Sequence, residues 1–278
     1  MTNNNFKFQS SQELAKLIRL RSLELCTQKN TSHIGGAFSV ADIIAVLYHD
    51  ILNFDPRNPR DPNRDRLFFS KGHACVTLYS VLEILGFFPS IDLLKEFTRN
   101  GTYFTSHINH HIPGIELSTG SLGHALGIGC GVSLAAKIQG RPFTIFTIVS
   151  DGELDEGSNW EAILFAPQHK LDNMVVIVDY NKIQSFGSTN EVLSLDPLKD
   201  KFISFNWKVA EIDGHSHMQI QEILTEFKND RMSSPKVIIA HTIKGKGVDF
   251  MENQLKWHYK APNSSEYEIA KKQIMETM

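Results

Sequence analysis

Cysteine is scarce in this 278-residue chain: the three present, Cys26, Cys75 and Cys130, stand far apart, without metal-ligand spacing, among leucine, valine and isoleucine. That points away from a disulfide framework or a zinc site and towards buried free thiols. No apolar run approaches the ~20 residues of a membrane span. The opening Met1-Thr2-Asn3-Asn4-Asn5 has neither the basic nor the hydrophobic segment of an export signal, so a cytoplasmic protein with no membrane partner is expected. An excess of one charge is also lacking, with 28 Lys and Arg against 31 Asp and Glu, which argues against a nucleic-acid partner. Internal repeats, low-complexity segments, a glycine-rich dinucleotide pattern and a phosphate loop ending in Gly-Lys-Ser/Thr are all missing, which disfavours a simple nucleotide-binding domain. What remains is an ordinary globular composition at a length close to the limit of one hydrophobic core.

The first third reads as helices joined by turns, because Gln12–Leu25 and Val40–Leu52 repeat apolar residues every three or four positions. Ser10 and Ser11 suit the start of the first helix, and Ser39 stands where it would cap the second. Three prolines between Asn53 and Pro62 remove backbone donors and fix φ, so this stretch is a loop; the helical pattern resumes at Ala74–Leu85. From Arg141 onward, short β-branched runs at Thr144–Val149, Met174–Val178, Lys208–Ile212 and Val237–Thr242 alternate with helical stretches at Trp160–His169 and Met218–Phe227. That alternation predicts an α/β fold, a doubly wound, mostly parallel sheet with helices on both faces, in which ligands collect beyond the carboxyl ends of the strands. The expectation is a single domain over 1–278, helical through 140 and built on the sheet over 141–262. Glu266–Met278 reads as a peripheral or partner-facing helix.

Two strand ends carry unusual residues. The first runs into Ser150-Asp151-Gly152-Glu153 and the second into Asp179-Tyr180-Asn181-Lys182-Ile183. On neighbouring parallel strands, Asp151 and Asn181 come together across 30 positions of sequence. A carboxylate, an amide oxygen and a backbone carbonyl suit magnesium, which takes oxygen ligands and shares its shell with phosphate. Gly152 lets the main chain approach that phosphate, and a following helix directs free amides at it. A plain turn at Asp151-Gly152 and a loop asparagine at 181 account for the same residues.

This Asp-Gly followed by a distant Asn resembles the thiamine-diphosphate signature, and nearly the whole chain resembles the amino-terminal, diphosphate-binding half of transketolase in its two-polypeptide form. Ser32-His33-Ile34-Gly35-Gly36, Ser70-Lys71-Gly72-His73-Ala74, Ser118-Thr119-Gly120-Ser121-Leu122-Gly123 and Ser150-Asp151-Gly152-Glu153-Leu154-Asp155-Glu156-Gly157 follow the family's order. The resemblance implies thiamine diphosphate with magnesium, or calcium or manganese in its place, held by Asp151, Asn181 and the carbonyl of Ile183. It implies cofactor contacts from His73, Gly120, Ser121, Leu122, Gly152, Glu153 and His258. It also implies that His33, His73, His107 and His258 are catalytic, handling substrate hydroxyls and protons near neutral pH, where imidazole can give or take them. His258 is placed by Trp257-His258-Tyr259 after Ile243-Lys244-Gly245-Lys246-Gly247. Glu156 and Glu161 match family acids at the subunit contact. His49, His169, His215, His217 and His241 match nothing, and His110 and His111 are left unassigned.

The implied reaction transfers a two-carbon ketol group from a ketose, free or phosphorylated, to an aldose. The pyrimidine-binding and carboxyl-terminal domains of the family are expected on a separate subunit, in an α2β2 assembly. Three departures stand out: Ser150 where the family has glycine, and Ile34 and Ile108 where it often has proline. The alpha chain of a 2-oxoacid dehydrogenase shares the metal motif, and a non-catalytic relative keeping the fold is the alternative outside enzymology.

Overall fold

The computed structural model describes residues 8–277. Met1–Asn5 and the final Met278 of the expected last helix therefore lie outside the described residues. Five strands, β1 (Arg66–Phe69), β2 (Ile145–Ser150), β3 (Met174–Tyr180), β4 (Lys208–Asp213) and β5 (Lys236–His241), form one wholly parallel sheet in the order β1-β2-β3-β5-β4. Around it run α1 (Ser11–Lys29), α2 (Ile34–Ser39), α3 (Ala41–Val46), α4 (Cys75–Ile84), α5 (Leu93–Glu96), α6 (Ala125–Ile138), α7 (Gly157–Gln168), α8 (Thr189–Val192), α9 (Leu198–Ser204), α10 (His217–Asn229), α11 (Lys256–Tyr259) and α12 (Ser264–Thr277).

The alternation of side chains along the strands decides which layer each residue joins. Phe146, Ile148, Val175, Ile177, Ile238 and Ala240 pack with apolar residues of α1, α3, α4 and α10 in one core. Their neighbours Val149, Val176, Val178, Val237 and Ile239 pack with α6, α7 and α9 in a second. A sheet buried on both faces needs the near-continuous Val/Ile runs that β2, β3 and β5 show. All three cysteines are buried and free, as expected. Among the described residues no helix is long and apolar enough to cross a membrane.

The expected strands all form, and β1 adds a fifth inside the region read as helical. It has only four residues and begins with an arginine, too short for a period to register. Ser10 caps α1 as expected, accepting from the Glu13 amide at 3.2 Å. Ser39 does not cap the second helix. The chain stays helical through Val40 and frees no amides there, and the Ser39 hydroxyl donates to the Gly36 carbonyl and, at 2.6 Å, to Asp179. The single helix expected over Val40–Leu52 is α3 followed by a π-helical turn at Leu47–Ile51.

One polar network runs through the helical layer. Arg19 of α1 grips both carboxylate oxygens of Asp42 in α3, at 2.8 and 2.6 Å, and His215 and His217 reach the same carboxylate. The other nitrogen of His215, Nε2, accepts from the amide of Ile243 at 2.8 Å.

Candidate functional site

The carboxyl ends of β1, β2 and β3 open into a crevice of about 420 Å³. Its wall includes ten of the twelve residues singled out in the sequence: His33, His73, His107, His258, Gly120, Leu122, Asp151, Gly152, Asn181 and Ile183. The four histidines come from four separate segments and converge. The His33 ring centroid lies 5.1 Å from His73, 6.3 Å from His107 and 4.9 Å from His258, and His73 stands 6.3 Å from His258.

Local chain geometry sets those rings. His33 has left-handed backbone angles (φ 72°), and its amide donates to the carbonyl of His258 at 3.0 Å, which fixes one ring beside the other. His73 sits in a single 3₁₀ turn between β1 and α4. Gly72 in that turn is pressed on Thr119, so close that a Cβ would stand 2.5 Å from the Thr119 carbonyl oxygen; this contact joins two of the sequence motifs. The carbonyl of His107 takes the hydroxyl of Tyr79 at 2.8 Å.

The residues at the strand tips also meet. Parallel pairing sets Ser150 opposite Asp179, so Asp151 and Asn181 follow from adjacent strands. Asp151 accepts from the Gly152 amide at 2.7 Å and from the Lys182 amide at 2.5 Å, while Asn181 Oδ1 accepts from the Ile183 amide at 3.2 Å. Asp151 is 2% exposed, and burial, together with the charge of Asp179, pushes its carboxyl up to about 6. A buried carboxylate held up in this way favours a nearby cation. An amide oxygen and a carbonyl oxygen beside it complete the hard-oxygen donors that magnesium prefers, so the residues present fit the ion.

Two lysines in the wall carry roles that the sequence reading missed. Lys244 Nζ donates to the Ile183 carbonyl at 2.9 Å and lies 3.0 Å from His258 Nδ1. Burial pulls its ammonium down to about 8, against the opposing charge of Asp151. The segment is seated by the Gly245 amide donating to the Gly35 carbonyl, and Gly35 leaves room for the Lys244 side chain, whose Cγ would stand 3.0 Å from an added Cβ. Lys71 reaches the Gly36 carbonyl at 2.9 Å and pairs with Asp179. Burial pushes up the Asp179 carboxyl, but the charge and hydrogen bond of Lys71 outweigh it and leave it below the ordinary value. Lysine is normally a surface residue, and the flanking glycines were the only sign that these two turn inward.

The surroundings of all four imidazoles disfavour their charged forms. Burial, with the charges of His107, Lys244 and Lys71, pulls His33 down to about 4, and burial with Lys244 takes His258 to about 3. Burial also holds His73 well below its usual value and lowers His107. His33 Nδ1 is buried with no hydrogen-bond partner among the described residues, an unsatisfied polar atom beside the crevice.

Two expected contacts are not in the wall. Ser121 is exposed beyond it. Glu153 is fully buried, and its carboxylate accepts from the Ser70 hydroxyl, the Gly123 amide at 2.9 Å and the Ser150 amide at 3.4 Å. That carboxylate ties the motif loops to one another in place of the cofactor contact expected for it. Gln184, Ser185, Phe186 and Val192, unremarked in the sequence, also line the crevice, and Ser185 Oγ lies 3.3 Å from His258 Nε2.

Residues 10–275 match the family model described as transketolase, thiamine diphosphate binding domain. The chain is 41% identical over 248 residues to the 6-deoxy-6-sulfo-D-fructose transketolase subunit of a Clostridium strain, covering 89% of this chain and 90% of that one. It is 38% identical over 262 residues to an apulose-4-phosphate transketolase subunit of Phocaeicola vulgatus, covering 93% of this chain and 91% of that one. The crystal structure of transketolase from Campylobacter jejuni superposes with a TM-score of 0.90 at 33% identity over 97% of this chain, which spans only 43% of that longer one.

Proposed function

The chain belongs to the transketolase family, of which it carries the thiamine-diphosphate-binding domain, and on that premise we propose that it is the amino-terminal subunit of a two-chain transketolase, moving a two-carbon ketol group from a ketose to an aldose together with a separately encoded partner. The single observation that carries this reading is the convergence of four histidine rings over the crevice into which Asp151, Asn181 and Ile183 open. When bound, thiamine diphosphate supplies the nucleophilic carbon that takes up and releases the ketol unit.

The chain's own residues bind, orient and exchange protons. Asp151, Asn181 and the carbonyl of Ile183 hold magnesium, or calcium or manganese in its place, against the diphosphate. Gly120, Leu122 and Gly152 bring main chain close to the cofactor, and Lys71 and Lys244 add positive charge beside the same anion. His33, His107 and His258 hold substrate hydroxyls, with His73 shared between cofactor and substrate. Neutral rings suit this work, because each then has one nitrogen that donates and one that accepts.

The partner supplies the pyrimidine-binding and carboxyl-terminal domains, in an α2β2 assembly. Support for a partner comes from the match to two-fifths of the longer solved transketolase and nearly all of the subunit-length relatives. It also comes from an exposed apolar groove between α6 and α7, which Ile128 and Phe165 line together with Glu161. Relatives named for a sulfonated and a phosphorylated sugar suggest a donor ketose with an anionic terminal group.

Calorimetry of thiamine diphosphate on the mixed complex, with and without magnesium, tests the assignment. Asp151→Ala abolishes magnesium-dependent binding if the reading holds, and unchanged affinity removes the metal assignment.

A further inference from the structure

A second cavity, about 310 Å³, lies at the amino end of β1, the end away from the crevice, and shares none of its lining residues. Three arginines, Arg60, Arg64 and Arg66, line its wall with one acid, Glu116, and with His110 and His111. Arg64 pairs with Glu116 and also donates to the Pro59 and Asp65 carbonyls. Arg66 is 3.9 Å from the same carboxylate and spends Nη2 on the Asp61 and Pro62 carbonyls.

Arginines therefore outnumber acids among the residues that line the cavity. Arg66 Nη1 and Glu116 Oε1 are each buried with no hydrogen-bond partner among the described residues, and the Arg66 guanidinium carbon lies 5.1 Å from the Phe143 ring centroid. A buried guanidinium nitrogen with no acceptor is an unfavourable arrangement unless something supplies the acceptor. Arg60 is exposed and makes no hydrogen bond or ion pair among the described residues. Two further acids, Asp61 and Asp65, act on Arg66 by charge from outside the lining and already accept hydrogen bonds. Asp65 accepts from Lys228 and from the Asn53 and Thr144 amides, and Asp61 accepts from the Asn63 amide. His110 and His111 are anchored through Nδ1, to Ser118 and Asn109, so Nε2 of each is free for another contact.

We propose that this cavity is an oxyanion site, taking a phosphate or sulfate group, either free or carried on a small sugar. A planar fork of N–H donors matches the paired oxygens of such a group, and a cavity with several guanidiniums against one carboxylate selects negative charge. The site rests on its own residues and not on the proposed activity. Because His107 and His110 lie on one short loop, an anion here also steadies the segment that carries a histidine into the crevice.

Calorimetry of inorganic phosphate, and of a hexose phosphate beside the free hexose, on the full chain tests the proposal. Arg60→Glu, at an exposed position that leaves the fold intact, weakens phosphate binding by about tenfold or more. Lys244→Ala, in the other cavity, keeps the Arg60-dependent binding. Arg57→Glu, an exposed neighbour outside the cavity, behaves as wild type. Tighter Arg60-dependent binding of the hexose phosphate than of phosphate identifies a sugar-borne group, and equal or weaker binding identifies the free anion. Phosphate binding that survives Arg60→Glu unchanged, or that falls equally with Arg57→Glu, overturns the site.

Discussion

Lys71 and Asp179 meet as ammonium and carboxylate within the interior beside the crevice, their side chains 1% and 0% exposed. Ser39 and Thr242 donate to the same carboxylate, so a residue of the helical layer and one just past β5 share an acceptor on β3. Removing one member of such a pair strands the other charge, which typically costs about 3–5 kcal/mol. Lys71→Ala is expected to lose about that much in urea denaturation, and a loss below about 1 kcal/mol would show that the pair is not holding these layers together.

The depressed histidines make a pH prediction. His33 at about 4 and His258 at about 3 stay neutral in the folded chain, while the unfolded chain takes up their protons near 6.5. Between those values the unfolded state binds more protons, so this contribution to stability is present above about 6.5 and is lost as pH falls through the window. Asp151, pushed up to about 6 from 3.8, acts in the opposite sense, so the histidine effect is read by difference. His258→Asn should show a smaller fall in melting temperature between pH 7 and pH 4 than wild type does, measured at constant ionic strength. Parallel pH profiles for the two proteins would contradict it.

Gly72 offers a steric test. An added Cβ there meets both the hydroxyl and the carbonyl of Thr119, and the carbonyl belongs to backbone that cannot swing aside. Gly72→Ala is expected to cost about 1–3 kcal/mol, the usual range for overpacking, and to weaken thiamine diphosphate binding by separating the His73 and Gly120 segments. Wild-type stability together with wild-type affinity in this variant would show that the two segments move independently.

Much of the crevice was legible because an Asp-Gly at a strand end and an Asn after the next strand leave a mark that survives without coordinates. Parallel pairing then does the rest, setting residue 150 opposite 179. What could not be read depends on distant chain. Four residues beginning with Arg66 form a strand only because β2 offers the ladder beside them. Ser39 looks like a cap in one dimension, and its hydroxyl is claimed by Asp179, 140 residues on. Glu153 sits within the cofactor motif, yet the Ser70 hydroxyl, the Gly123 amide and the Ser150 amide take its carboxylate. Lys71 and Lys244 read as surface residues until the layers close over them.

The Arg19–Asp42–His215 network ends on the Ile243 amide, immediately before Lys244. The inward lysine is therefore braced by a tether that begins in α1, at a fully buried arginine. Damage at that anchor would surface as a misplaced ammonium beside His258, so a genetic lesion in the interior of the helical layer can mimic one in the crevice wall.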